Sequence, residues 1–254
     1  MFSAFVIAFS MYSRIPMPRL EWTEENMKYA VCFLPVIGAV IGGLEVGAWY
    51  LCRFLEMGTF FRTAVLVAIP LLVTGGIHFD GFIDTVDARS SHQDRERKLE
   101  ILKDSHIGAF ALIGSMVYFL LTAAAFSEVD ETLLPVAAIG FFLSRSYSGL
   151  ALVSFRQARK KGMLATFAEQ AHKKKVKIVM LCYILLASAL LIWISPLYGA
   201  AAALSALAVF GYYRYFSYRE FGGVTGDLAG YFLQLCELAM VLVPVLLEKV
   251  VARL

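Results

Sequence analysis

Charge is what this chain has least of: Asp, Glu, Lys and Arg make up only 17% of its 254 residues, against 59% hydrophobic. A soluble domain keeps about a quarter of its residues charged, so the composition excludes an ordinary water-soluble fold and makes the bilayer the natural solvent. Excess charge of one sign is lacking too. A net charge of +3, carried largely by loops, suits contact with the anionic headgroups of membrane lipid, and no nucleic acid partner is expected. Cysteine is scarce as well. Cys32, Cys52, Cys182 and Cys236 lie in or beside apolar runs without close-spaced partners, which excludes a disulfide framework and a zinc site. The first thirty residues show no basic stretch leading into an apolar run and a small-residue cleavage site, so no removable leader is expected. Neither repeats nor low-complexity tracts divide the chain, and residues 1–254 read as a single membrane-embedded domain.

Long apolar runs are what the chain has in quantity. Spans are expected near Val31–Leu51, Thr63–Ile77, Ala109–Phe126, Leu133–Val153, Lys177–Ile194, Tyr198–Tyr213 and Leu228–Leu247. At roughly 1.5 Å per residue, 20 residues cross a hydrocarbon core of about 30 Å. The expected fold is therefore all-α: a polytopic integral membrane helix bundle of about seven transmembrane helices. The second and sixth runs are short, which leaves room for a re-entrant segment. Lys and Arg collect in Asp80–His106 and Phe155–Lys177, whereas the turns near Glu128–Glu131 and Ser195–Tyr198 have none. The basic loops should be cytoplasmic, in an inner membrane, with the active-site loops on that face. Most of this positive charge needs no further reason. Arg156 and Lys161, nearer the other polar motifs, are the better candidates for touching phosphate.

The stretch Gly75–Asp87 ends an apolar run and places Asp80, Asp84 and Asp87 at i, i+4 and i+7. On a helix the three side chains project within an arc of about 60°. Crowded carboxylates repel one another unless a cation lies among them, and an all-oxygen donor set favours magnesium or manganese over zinc. A second acidic motif, Gly222-Gly223-Val224-Thr225-Gly226-Asp227, leads into the last span, which carries Glu237. Asp227 should share the face of Asp80, and the two motifs together suit metal on a diphosphate. Gly223 and Gly226, ahead of a helix, offer backbone amides to an anion. Lys103 and the intramembrane Arg145 are candidates to hold phosphate oxygens, with pairing to an acid the alternative for Arg145. His78 is a candidate general base, and Asp104 another. Glu45, within a span, has no evident task.

Taken together, these residues resemble the cobalamin synthase family, the membrane adenosylcobinamide-GDP ribazoletransferases. The likeness runs through Tyr12-Ser13-Arg14-Ile15-Pro16-Met17-Pro18, Phe33–Gly38, the Gly75–Asp87 motif, Asp94–Gly108 with Lys103-Asp104-Ser105, and Gly222–Glu237. Ala88 stands where that family usually has glycine, His106 where arginine is frequent, and Gln234 where an acid is common. The resemblance implies a magnesium-dependent transfer of the adenosylcobinamide phosphoryl group from its GDP linkage to α-ribazole or α-ribazole 5′-phosphate, with release of GMP. It implies metal on Asp80, Asp84, Asp87 and Asp227, and substrate contacts from Lys103, Ser105, Arg145, Arg156, Lys161, Gly223 and Gly226. Other corrinoid-pathway enzymes are implied as partners, and small residues such as Gly38, Gly42 and Gly43 would suit either a homo-oligomer or packing within one chain.

Two rivals remain. A CDP-alcohol phosphotransferase would also gather aspartates around metal, but Ala88-Arg89 sits at the wrong offset from Asp80-Gly81 for its signature. A secondary transporter would use Asp80, Asp227 and Glu237 along a path across the membrane, whereas the carboxylates concentrate on one expected face.

Overall fold

A computed structural model describes residues 1–104, 106–159 and 163–254. In chain order its α-helices are α1 (Phe2–Tyr12), α2 (Glu24–Met27), α3 (Leu34–Phe54), α4 (Thr59–Thr74), α5 (Ile77–Ser90), α6 (Arg95–Ile101), α7 (Ala109–Ser127), α8 (Leu134–Ser154), α9 (Met163–Gln170), α10 (Lys173–Ile194), α11 (Pro196–Phe216) and α12 (Gly226–Val251). A 3₁₀ turn, Ala30–Phe33, leads into α3, and a π-helical turn, Ser217–Phe221, closes α11. Among the described residues, six segments are long and apolar enough to cross a membrane, Glu24–Phe54, α7, α8, α10, Pro196–Phe221 and α12, and seven if the bent pair α4 and α5 counts as one span. The protein is a multi-pass, all-helical membrane bundle.

Local chemistry explains the boundaries. Pro35, Pro135 and Pro196 stand in the first turns of α3, α8 and α11, where a missing N–H costs no helical hydrogen bond. The sixth expected span is not short: Tyr212, Tyr213 and Arg214 interrupt the hydropathy but not the helix, which runs on to Phe221. The second expected span ends early. Gly75 (φ 65°) and Gly76 (φ 80°) take the left-handed conformation that residues with a β-carbon avoid, so the helix stops at Thr74 and restarts at Ile77 with its axis turned by 96°. Ile77, expected to end a span, instead begins α5.

The most buried helix is α8, packed between α3, α10 and α12. Gly38 and Gly42 let α3 meet it backbone to backbone: a β-carbon at either would collide with the carbonyls of Phe141 or Ala138. These small residues therefore pack within the chain, while Gly43 faces open space. On the outside, α7, α10 and α11 expose Leu120, Leu185, Leu186, Trp193 and Leu204, the apolar surface a bilayer would cover. Inside, α8 and α12 carry an ion pair. Arg145, 1% exposed, places Nη1 2.6 Å from Glu237 Oε1 and 3.1 Å from the Phe141 carbonyl, and Ser144 Oγ donates to the same Glu237 oxygen at 2.9 Å.

Candidate active site

Two glycines bring the two acidic motifs together. A β-carbon at Gly81 would lie 2.7 Å from the Asp227 Cα, and one at Gly230 would collide with the His78 carbonyl. The first turns of α5 and α12 therefore run against each other in opposite directions, sealed by the Phe82 and Tyr231 rings, stacked with centroids 5.5 Å apart. The room that Gly81 leaves is filled by backbone of this chain. α12 begins at a Thr225 cap whose Oγ1 accepts from the Leu228 amide at 3.2 Å and donates to Asp227 Oδ2 at 3.3 Å.

A short backbone pairing completes the arrangement. The Val224 amide donates to the Arg156 carbonyl and the Ala158 amide to the Val224 carbonyl, each at 2.9 Å. Gly223 is tight against this pairing, and its amide donates to the Ser217 carbonyl at 3.1 Å, so that N–H is already engaged. The link holds Arg159 beside the acids, with Nη1 3.7 Å from Asp227 Oδ2. Arg159 also donates to the Leu99 carbonyl, and Arg156 Nε donates to the Gly222 carbonyl at 2.8 Å.

Between these elements lies a cavity of about 270 Å³. Its polar lining residues include His78, Asp80, Gln157, Arg159, Thr225, Gly226 and Asp227, and its apolar ones Met11, Leu34, Ile77, Leu152 and Leu233, with Tyr12 and Ser148 also lining it. Of the residues singled out from sequence, His78, Asp80, Gly226 and Asp227 are therefore brought to one space. Asp84, half-buried, stands close enough to Asp80, Asp87 and Asp227 to be repelled by all three. Asp87 shares their helical stripe but is about 10 Å further along it. Its carboxylate lies against Gly108, the cap residue of α7. A stripe gathers direction without gathering position, so the three aspartates do not meet at a single point.

The other expected site residues lie elsewhere. Arg145 is engaged with Glu237 inside the bundle and does not line the cavity. It sits one turn below the floor, three residues before Ser148 on α8, with its charge felt by His78. Lys103 and Asp104 are exposed on the loop before α7. There His106 donates its amide (3.0 Å) to Asp104 Oδ1, with its Nδ1 2.6 Å away, which holds the Asp104 carboxyl below its ordinary value. Arg156 is exposed over the Tyr218 ring. Ser105 and Lys161 lie outside the described residues. Gln234, where an acid was expected, accepts from the buried Tyr118 hydroxyl at 2.5 Å. Sequence reasoning gave no site role to Arg159, hidden in a run of positive charge that topology alone explains, or to Tyr12, which it noted only as the start of the Tyr12–Pro18 motif.

The donor set suits a hard divalent cation. The side chains of Asp80, Asp84 and Asp87 make no hydrogen bond or ion pair among the described residues, Asp84 is repelled by the other two, and carboxylate oxygens are the ligands such a cation takes. Among the described residues, no three His, Cys, Asp or Glu side chains are grouped closely enough to hold an ion as they stand. A bound cation would therefore have to draw these side chains together.

The family model for cobalamin-5-phosphate synthase matches residues 4–245. An adenosylcobinamide-GDP ribazoletransferase of Lachnoclostridium phytofermentans is 48% identical over 96% of this chain and 94% of its own length. Proteins of the same name from Treponema denticola (93% of this chain, 95% of that one) and Clostridium perfringens (95% and 96%) are 32% and 31% identical. No solved structure matches. The residues that build the cavity, from Met11 to Leu233, all fall inside the matched region, and the chain belongs to the cobalamin-5-phosphate synthase family.

Proposed function

We propose that this chain is an adenosylcobinamide-GDP ribazoletransferase that uses magnesium and works at the cytoplasmic face of the membrane. The observation that carries the chemistry is the set of α5 carboxylates without side-chain partners beside a cavity lined by both polar and apolar residues. A diphosphate joined to a large organic group has both kinds of surface to offer. The basic segments Asp80–His106 and Phe155–Lys177 support the cytoplasmic orientation.

In this reading a ribose hydroxyl of α-ribazole, or of its 5′-phosphate, attacks the phosphorus that bears the corrinoid. The bond from that phosphorus to the bridging diphosphate oxygen breaks, and GMP leaves with the electron pair. The hydroxyl proton passes to His78 Nε2, a buried nitrogen without a partner at the cavity wall. Asp80, Asp84, Asp87 and Asp227 would hold magnesium, which supplies charge neutralisation on the diphosphate. Arg159 takes the phosphate-holding part that the sequence suggested for Arg145, because it reaches the cavity and Arg145 is committed to Glu237. The amide end of α12 at Gly226 favours anionic charge on the same side. Lys103, Ser105, Arg156 and Lys161 remain candidates for substrate contacts.

The test is GMP release by detergent-solubilised protein given adenosylcobinamide-GDP and α-ribazole, with magnesium and then with chelator. Release should need both substrates and magnesium. Folded protein that releases no GMP would refute the transferase reading, and release unaffected by chelation would refute the metal.

A further inference from the structure

The cavity holds two buried polar atoms with nothing to bond. Tyr12 and His78 are each 7% exposed, both line the cavity, and neither Tyr12 Oη nor His78 Nε2 has a hydrogen-bond partner among the described residues. Leaving such groups unsatisfied is costly, and the cost is removed when a ligand supplies the missing bonds. Their rings face each other at 22° with centroids 6.2 Å apart.

Tyr12 is held there by an element that the bundle does not need as a span. At 11 residues, α1 is roughly 16 Å long, too short to cross the bilayer, yet it is packed into the protein and ends at the cavity. The chain beyond it is pinned to the break between α4 and α5. The Arg14 amide donates to the Val73 carbonyl at 2.7 Å, and the Arg14 side chain lies where a β-carbon on Gly75 would be. His78 is three residues beyond Gly75, so the contact that anchors the end of α1 also fixes Tyr12 opposite His78.

We propose that Tyr12 determines acceptor specificity by hydrogen-bonding the ribose hydroxyl adjacent to the one that attacks phosphorus. A vicinal diol satisfies both orphan atoms at once: the attacking hydroxyl at His78 Nε2 and its neighbour at Tyr12 Oη. This rests on the transferase reading of the cavity.

The probes are the acceptor nucleoside and its deoxy analogue lacking only the neighbouring hydroxyl. The unmodified protein should prefer the diol by about ten- to a hundredfold in kcat/KM, the value of one buried neutral hydrogen bond with its unpaired partner. Tyr12→Phe removes an oxygen that bonds nothing in the structure and keeps the ring. It should bring that preference to within about threefold, mainly by slowing the diol. Preference intact in Tyr12→Phe, or both acceptors slowed equally, would overturn the proposal. Equal use of the two acceptors by the unmodified protein would overturn it without any variant. Absence of GMP release with either acceptor would mark the failure of the transferase reading itself.

Discussion

Two groups of carboxylates sit in the apolar body of this protein, and they are kept in opposite ways. Along the middle of α8 and α12, Glu237 meets Arg145 at 2.6 Å and Ser144 at 2.9 Å, and Glu45, 2% exposed, lies close enough to be repelled by Glu237. Along α5, the Asp80, Asp84 and Asp87 side chains have no such partners among the described residues, and at the start of α12 Asp227 has Arg159 at 3.7 Å and the Thr225 hydroxyl at 3.3 Å. Both places put ionisable groups where they are expensive. Glu237 has its counter-charge built in, whereas the outer group is a set of like charges whose counter-charge must arrive. An inner ion pair belongs to architecture, and an outer unpaired cluster to chemistry.

The sharpest way to break this contrast is to remove one member of the inner pair. Glu237→Ala leaves Arg145 charged and alone, and should lower stability by about 3–5 kcal/mol, read as a large fall in Tm or in yield of folded protein. The double change Arg145→Met with Glu237→Leu should restore most of that loss, since a well-packed apolar pair replaces a buried ionic one at little cost. A double variant no better than Glu237→Ala would mean the pair does more than hold α8 to α12.

The outer group should respond the other way. Asp80→Asn or Asp227→Asn should cut GMP release by about a hundredfold or more while Tm stays level or rises slightly, because a repulsion is relieved. Near-normal turnover by both variants would end the assignment of these carboxylates to the reaction.

Between the two lies the joint that aligns them. Gly81→Ala sets a methyl group 2.7 Å from the Asp227 backbone, and the overpacking should cost about 1–3 kcal/mol and reduce turnover together with Tm. Unchanged turnover would show that the α5–α12 register is not needed. The smallest effect belongs to Asp104, an exposed acid whose partner is already at hand in His106. Since His106 holds that carboxyl low, their bond favours the native loop above the ordinary carboxylate pKa and is lost as pH falls through the depressed value. His106→Ala should move the Asp104 titration back up, seen in carboxyl carbon NMR, with little change in Tm. A titration that does not move would mean the turn is not formed in solution.

Much of this could be read from the chain beforehand, for physical reasons that differ by region. Apolar length reports spanning helices directly, so six of the seven expected spans, all but Thr63–Ile77, correspond to helices within a few residues at most ends. The failures came where composition and conformation part. Tyr212 to Arg214 look like the end of a span but extend it, while Ile77 looks like the end of one helix and starts another. The acidic motifs were legible because a charge at the edge of an apolar run is costly and needs a reason. The partner of Arg145 is 92 residues away, and no local pattern encodes it. Arg159 is aligned by backbone pairing between residues 156–158 and 224, which side-chain identity does not announce.

The broken helix at Gly75 and Gly76 also works as a lever. Asp80 lies four residues from the pivot and Asp87 eleven, about 6 and 16 Å along α5. A rotation of only 10° at the glycine pair would shift Asp80 by about 1 Å and Asp87 by about 3 Å. The acid that enters the cavity is therefore the one the hinge can displace least, and the far acid, at the end of the long arm, rests against the start of α7 where that swing would be arrested.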